Sequence, residues 1–322
     1  MQDRQKGMVT GLKKNKKKDK LTWVQFKQYI PLYLMLLPAL IYLFINNYIP
    51  MTGIVVAFKK YSKKKGIYGS KWNGLENFEY LFKNDAGLIV RNTLLYNIVF
   101  IVLGMVVGVT LAILITDVLS KRLKKLYQSA IMLPFLISIV IVSYIVFAFL
   151  SVENGMFNNS ILKPLGLSPV QWYAEPKYWP FILTFVNIWK GCGYGTLIYI
   201  AGIVGIDPSF YEAAKLDGAT KWQQITKITI PSLVPALITM TMLSLGRIFA
   251  SDFGLFYQVP QNSGALFSVT QTIDTYVYRA LISSGGIGRS AAAGFFQSVV
   301  GFALVMGANA LVRRISRDNA MF

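Results

Sequence analysis

Glu212-Ala213-Ala214-Lys215-Leu216-Asp217-Gly218-Ala219 is a polar stretch rich in small residues, set between two apolar runs long enough to cross a bilayer. Most polar connections in a membrane protein need only stay wet. This one carries the marks of folded structure. Asp207-Pro208 opens it. Asp accepts the free N–H groups of a helix start, and Pro fits the first helical position because its missing N–H would be unpaired there. Glu212 then falls early in that helix, and Ala213 and Ala214 form a side that another backbone can approach closely. Asp217-Gly218 predicts a turn, since Gly takes positive φ at little cost. A second helical stretch, Ala219–Ile228, leads to Pro231. A folded cytoplasmic knuckle on a membrane protein points to something that docks there.

The apolar surroundings set the fold class. The chain has 322 residues, 54% of them hydrophobic, too apolar for an ordinary soluble protein of this size. Leu32–Ile49, Asn92–Thr116, Leu126–Val152, Ile228–Gly246 and Ser290–Val312 are uncharged runs of 18, 25, 27, 19 and 23 residues. A helix crosses the hydrocarbon core in about 20 residues. A sixth run, Tyr178–Ile206, is interrupted only by Lys190. The expectation is an all-α membrane protein of six transmembrane helices, near 30–49, 93–117, 128–151, 179–205, 230–249 and 290–312. The knuckle, 207–231, lies between the fourth and fifth spans. Residues 1–28 form a basic tail, 29–315 the six-helix domain and 316–322 a short C-terminal tail. Phe253–Ile273 is also uncharged, but Gln258, Pro260, Gln261, Asn262, Ser263 and Gly264 lie in its middle. Such backbone is tolerated at membrane depth only when buried in protein or facing water, so it reads as an external loop or partly re-entrant segment.

Composition excludes several functions. One cysteine, Cys192, and no histidine rule out an internal disulfide, argue against a zinc site and remove histidine general-base chemistry. Cys192 lies in an apolar segment and reads as a small packing residue. No Gly-x-x-x-x-Gly-Lys-Ser/Thr phosphate loop is present. Gly285-Gly286-Ile287-Gly288 lacks the lysine and the preceding strand, and reads as shaping the start of the sixth span. The net charge of +19 would suggest nucleic acid in a soluble protein. Here nine Lys/Arg lie in the first 28 residues with no aromatic interleaved in Lys13–Lys20, the pattern of a juxtamembrane tail facing anionic lipid rather than nucleic acid. With the N-terminus inside, internal segments hold 19 Lys/Arg and external ones 12, so the positive-inside rule places both termini in the cytoplasm. The first external loop runs against that trend, with Lys59, Lys60, Lys63, Lys64 and Lys65 close together.

At this point the knuckle resembles a known family. Transmembrane subunits of ABC importers carry Glu-Ala-Ala, three residues, Gly, nine residues, then Ile-x-Leu-Pro; this chain has Glu212-Ala213-Ala214, Gly218 and Ile228-Thr229-Ile230-Pro231 at that spacing. Ile230 in place of Leu is the one departure and keeps bulk and polarity. Gly74-Leu75-Glu76-Asn77-Phe78, Asn92-Thr93, Ile188-Trp189-Lys190 with Gly191 and Gly193, Ala201-Gly202-Ile203 and Phe253–Val259 resemble elements of maltose-type carbohydrate permeases, of the branch that takes oligosaccharides and polysaccharide fragments. The likeness covers about residues 29–315. It implies a bacterial cytoplasmic-membrane permease that is not itself an enzyme. The implied partners are a second homologous permease, two ATPase subunits that hold ATP and Mg, an external solute-binding protein and an oligosaccharide. This chain would hold no cofactor and no metal. The resemblance makes the knuckle the coupling helix, with Glu212, Ala213, Ala214, Asp217, Gly218, Ala219 and Pro231 in the docking contact.

The substrate pathway is less directly written. Intramembrane charge tends to face a cavity or a partner, which singles out Lys190 and Arg247. Lys190 reads equally as pathway lining or as half of a structural pair. Sugars take aromatic faces and planar polar groups, which Phe256, Tyr257 and Gln258 supply beside the irregular segment and Trp189 and Tyr194 supply in the fourth span. Two alternatives compete: an ABC permease for phosphate, polyamine or peptide, and a secondary carrier. The sugar-type elements speak against the first. The absence of Asp or Glu near any span centre speaks against the second.

Overall fold

The computed structural model describes residues 23–282 and 286–315. Most of the basic tail, the C-terminal tail 316–322 and Gly285 of the glycine-rich stretch lie outside the described residues. Packing divides the chain into two compact units, Met1–Gly53 and Ile54–Phe322. In the first, α1 (Trp23–Leu43) carries two internal prolines, Pro31 and Pro38, and gives way to wider π-type turns over Phe44–Tyr48.

The second unit opens with an antiparallel hairpin, β1 (Lys59–Ser62) and β2 (Ser70–Trp72), a small exception to the all-α expectation. It continues through α2 (Glu76–Asn84), α3 (Ala86–Asp117), α4 (Lys121–Leu136), α5 (Ile139–Leu150) and α6 (Trp179–Val204). Then follow α7 (Pro208–Leu216), α8 (Lys221–Gln224), α9 (Ile230–Leu245), α10 (Phe253–Tyr257), α11 (Ile273–Ile282) and α12 (Ile287–Ile315). Among the described residues, four helical runs are long and apolar enough to cross a membrane: Tyr29–Phe58, Ala86–Asp117, Lys221–Leu245 and Ile287–Arg314. A fifth counts if α4 and α5 are one broken span. α6 has the length of a span at 26 residues, but Asn187, Lys190 and its glycines dilute its apolar character. It is the central element: α3, α4 and α9 all pack on it. A helix enclosed by other helices need not be apolar all round, because its polar positions meet protein rather than lipid.

Two expected spans have a different form. The third does not run straight over 128–151: α4 and α5 meet at a 93° bend. Pro134 removes a donor near the end of α4, and Ser138 starts the next helix by accepting the Val140 N–H at 3.3 Å. Three carbonyls at the break share one cation. Lys190 Nζ donates to the backbone oxygens of Ile137 at 2.6 Å, Phe135 at 3.1 Å and Pro134 at 3.5 Å. Beside it Gly193 lets two backbones touch, since a Cβ there would lie 2.2 Å from the Ile131 carbonyl oxygen. The fifth span, expected over 230–249, begins earlier: the helical run starts at Lys221 and α9 ends at Leu245.

Phe253–Ile273 is not an exposed loop. Leu255, Phe256, Val259 and Leu266 share a core with Tyr96 of α3, Val142 of α5 and Trp179, Leu183 and Val186 of α6. Its irregular backbone is held by side chains from the start of α3. Asn92 Nδ2 donates to the carbonyls of Gln271 (3.0 Å) and Ser268 (3.2 Å), and Thr93 Oγ1 accepts the Ile273 N–H at 3.1 Å. Asn97 Nδ2 donates to the Ala250 carbonyl at 2.8 Å and that of Ile248 at 3.1 Å. Burying such backbone unpaired would cost several kcal/mol per group, so the segment folds inward only with these donors in place.

Two substitutions test this packing. Gly193→Val places a branched side chain where the α4 backbone already lies, and should abolish monodisperse folded protein in detergent. Retention of a wild-type elution profile would show that α4 can shift away. Lys190→Met leaves the three carbonyls at the break without their cation, a loss of about 2 kcal/mol. The thermal unfolding midpoint should fall by about 5 °C, and an unchanged midpoint would mean that other donors cap the break.

Candidate functional site

The knuckle is built from local signals in sequence order. Asp207 caps α7, its Oδ1 accepting the Ser209 N–H at 2.9 Å, and that bond holds the Asp207 carboxyl below the usual carboxylate range. α7 closes in a left-handed turn at Gly218, φ 78°. The Ala219 N–H reaches back to the Ala214 carbonyl at 2.8 Å and the Gly218 N–H to that of Lys215 at 3.1 Å, which satisfies carbonyls that a helix end leaves free. Thr220 then starts α8 with a reciprocal cap. Its hydroxyl accepts the Gln223 N–H at 3.3 Å, and Gln223 Oε1 accepts the Thr220 N–H at 2.8 Å. α8 passes through a five-residue π-type turn, Ile225–Thr229, directly into α9, with Pro231 at its start.

Two bonds tie the knuckle to the helices behind it. The hydroxyls of Tyr211 and Thr229 lie 2.9 Å apart, joining α7 to the start of α9. Lys221 Nζ forms an ion pair with Asp117 at the end of α3. Between them is a cavity of about 220 Å³. The outer face is different. Glu212, Ala213, Asp217 and Gly218 are exposed, Ala214 and Ala219 are half-buried, and three large apolar side chains stand in the open: Leu216 at 90% exposure, Trp222 at 71% and Phe210 at 61%. Sequence reasoning centred on the small residues and missed these three. A Leu next to the Asp-Gly turn and a Trp four residues after its Gly were the available signals. Exposed apolar side chains on a rigid, fully capped scaffold make a surface suited to a protein groove.

The pathway candidates fall in separate places. Lys190 is occupied by the α4–α5 break, and Trp189 is half-buried against the main core. Tyr194 is more exposed, stacks on Phe135 at 5.8 Å, and lines a recess of about 200 Å³ between α3, α6 and α9. Asn187, Thr241 and Ser244 line the same recess. They are small polar residues in apolar runs, without a spacing that marks them. Arg247 is exposed just past the end of α9. Phe256, 1% exposed, belongs to the core. Tyr257 and Gln258 are half-buried. Tyr257 closes an aromatic triad with Phe253 at 4.8 Å and Tyr278 at 5.1 Å. Arg279 lies nearby, with its guanidinium 3.7 Å over the Phe267 ring and its Nε donating to Asn262 Oδ1 at 3.0 Å. Both of its terminal nitrogens are buried without a hydrogen-bond partner. Among the described residues no group of three or more His, Cys, Asp or Glu could hold a metal ion.

Comparison with known proteins identifies this architecture. The model of the family described as binding-protein-dependent transport system inner membrane component matches residues 104–317, which include most of the recess, the knuckle and the buried irregular segment. The chain is 34% identical, over 94% of both chains, to the polygalacturonan/rhamnogalacturonan transport system permease protein YteP of Bacillus subtilis. It is 32% identical to Protein LplB of the same organism, over 89% of this chain and 90% of that one. In three dimensions it is similar to a chain from the crystal structure of a bacterial alginate ABC transporter in complex with alginate pentasaccharide-bound periplasmic protein. That match has a TM-score of 0.82 at 34% identity and covers 92% of this chain and 98% of the other. A family match over the helical core, with relatives of this identity along almost the whole length, makes the chain a multi-pass transport subunit: it belongs to the binding-protein-dependent transport system inner membrane component family.

Proposed function

We propose that this chain is the membrane permease subunit of an ATP-driven importer that carries an oligosaccharide delivered by an external solute-binding protein. The carrying observation is the capped knuckle with Leu216 at 90% exposure beside Asp217 and Gly218. A surface so apolar and so rigid fits the groove of an ATPase subunit, with Glu212, Ala213, Ala214, Ala219 and Pro231 framing the contact. Relatives named for polygalacturonan and rhamnogalacturonan transport, and a structural neighbour solved with an alginate-loaded periplasmic protein, support the sugar and the binding protein. In this reading there are six spans. The broken pair α4–α5 is the third and α6 the fourth. The knuckle and both termini are cytoplasmic, in keeping with the 19 internal and 12 external Lys/Arg. A second homologous permease completes the pathway, and ATP and Mg act on two ATPase subunits.

Pathway contacts are proposed at Tyr194 in the recess and at Tyr257 and Gln258 beside the aromatic triad, with Arg247 at the outer end. Phe256 and Lys190 are structural in this reading, the first as core and the second as the cap on a broken helix, while Trp189 packs behind them. Tyrosine faces and amide groups suit the C–H faces and hydroxyls of a sugar.

Two experiments test the proposal. Asp tolerates positive φ better than most residues, so Gly218→Asp should leave the chain folded and inserted. Its bulk and charge would sit in the docking contact, and uptake should fall about tenfold or more while ATP hydrolysis loses its link to transport. Unchanged uptake would rule out docking at this turn. The double variant Tyr257→Ala/Gln258→Ala should slow uptake most at low solute concentration, raising KM more than it lowers kcat. Normal transport at low solute removes both residues from the pathway.

A further inference from the structure

The lysine-rich hairpin is the feature that the importer reading leaves unused. Over 59–72 the chain carries Lys59, Lys60, Lys63, Lys64, Lys65 and Lys71 and no acidic residue. It lies in a segment that the proposed orientation places outside, where the positive-inside trend disfavours it. Lys59 is spent locally, its Nζ donating to the carbonyls of Tyr68 at 2.8 Å and Ile67 at 3.2 Å. The other five are exposed, and among the described residues none forms an ion pair. Lys60 and Lys71 sit directly opposite each other in the strand register, a like-charge pair that destabilises a hairpin. The hairpin is nonetheless anchored. Asn77 Nδ2 donates to the carbonyls of Ala57 (2.9 Å) and Lys59 (3.1 Å), and Phe58 stacks on Trp72 at 5.6 Å and packs edge-on to Phe295 at 5.6 Å. A polybasic segment that serves only a lipid surface needs no such scaffold.

At the root of the hairpin is a polar cavity of about 450 Å³, large enough for two sugar rings, bordered by Lys60, Tyr61, Asn73, Tyr80 and Arg289. Arg289 lies 3.8 Å over the Tyr80 ring. Two carboxylates share the cavity, and both are engaged. Glu79 pairs with Lys83, and Glu76 Oε2 accepts from Asn73 Nδ2 at 3.3 Å. The cavity therefore combines a guanidinium, an ammonium outside any ion pair and tyrosine faces, and four further exposed lysines stand on the same hairpin.

We infer that this cavity is an external reception site for a carboxylated, uronate-type oligosaccharide, with Arg289 and Lys60 taking the carboxylates and Lys63, Lys64, Lys65 and Lys71 drawing the polyanion in. The inference rests on the reading of the chain as an oligosaccharide permease with this end outside. Gly218→Asp tests that reading through coupling, so the two fail separately.

The test uses the full chain in nanodiscs of phosphatidylcholine, titrated calorimetrically with trigalacturonate and, as a neutral trimer, with maltotriose. Trigalacturonate should bind and weaken as salt is raised, and maltotriose should not bind. Arg289→Gln should weaken binding about tenfold. Lys60→Gln supplies the arm that a purely structural role would not produce: it relieves the repulsion from Lys71, so thermal stability should hold or rise while trigalacturonate binding falls. Equal binding of the two trimers, or wild-type affinity in both variants, overturns the inference. So does binding of the chain to phosphatidylglycerol vesicles without any binding of trigalacturonate, which would make the hairpin a lipid contact.

Discussion

The ammonium of Lys190 carries more of this architecture than any apolar contact. It sits where α4 stops and α5 departs at 93°, and it gathers three main-chain carbonyls, those of Pro134, Phe135 and Ile137. A bilayer offers no water to do the same work, so a break in a helix is tolerated only when the surrounding protein supplies donors. Because the donor stands on α6, the bend fixes α4 against the helix on which α3 and α9 also pack. Gly193, three residues further along α6, removes the side chain that would keep the two backbones apart. Charge and absence of bulk thus act together at one crossing.

The same rule governs the other irregular part of the fold. Residues 246–272 contain little long helix, yet they close the core above α3 and α6. Asn92, Thr93 and Asn97 sit at the start of α3 and hold backbone groups more than 150 positions later. Asp274 adds a second anchor, accepting both the N–H (2.6 Å) and the hydroxyl (2.9 Å) of Ser251. Short polar side chains in an otherwise apolar helix thereby decide where the chain may leave helical geometry.

What could be read from the sequence was what is local or periodic. Uncharged runs announce membrane helices, and the fixed spacing from Glu212 to Pro231 announces the knuckle, including its capping residue Asp207 and its glycine turn. What could not be read depends on contacts between distant residues. Pro134 and Ser138 are residue types that end and start helices, but within a 27-residue uncharged run they do not break the reading of one span. Lys190 stood out as a misplaced charge. Its partners are backbone oxygens, which have no sequence signature, so pathway and structural roles could not be told apart. Phe256 looked like an aromatic beside a polar loop because nothing nearby reveals that Asn92 and Asn97 bury that loop. The exposed Leu216 and Trp222 were missed because apolar residues in an apolar chain attract no notice until the structure leaves them uncovered.

The hydroxyl contact between Tyr211 and Thr229 has a mechanical consequence. It fastens α7 to Thr229 at the start of α9, which extends 16 residues beyond it, about 24 Å at 1.5 Å per residue. Knuckle and α9 then form a bell-crank, a short arm and a long arm about one pivot. If the long arm stays straight, a rocking of about 10° at the short arm carries its far tip through about 4 Å. The ratio of arm lengths sets the gearing, and the Tyr211–Thr229 fastening sets how much play is lost before the far tip begins to move.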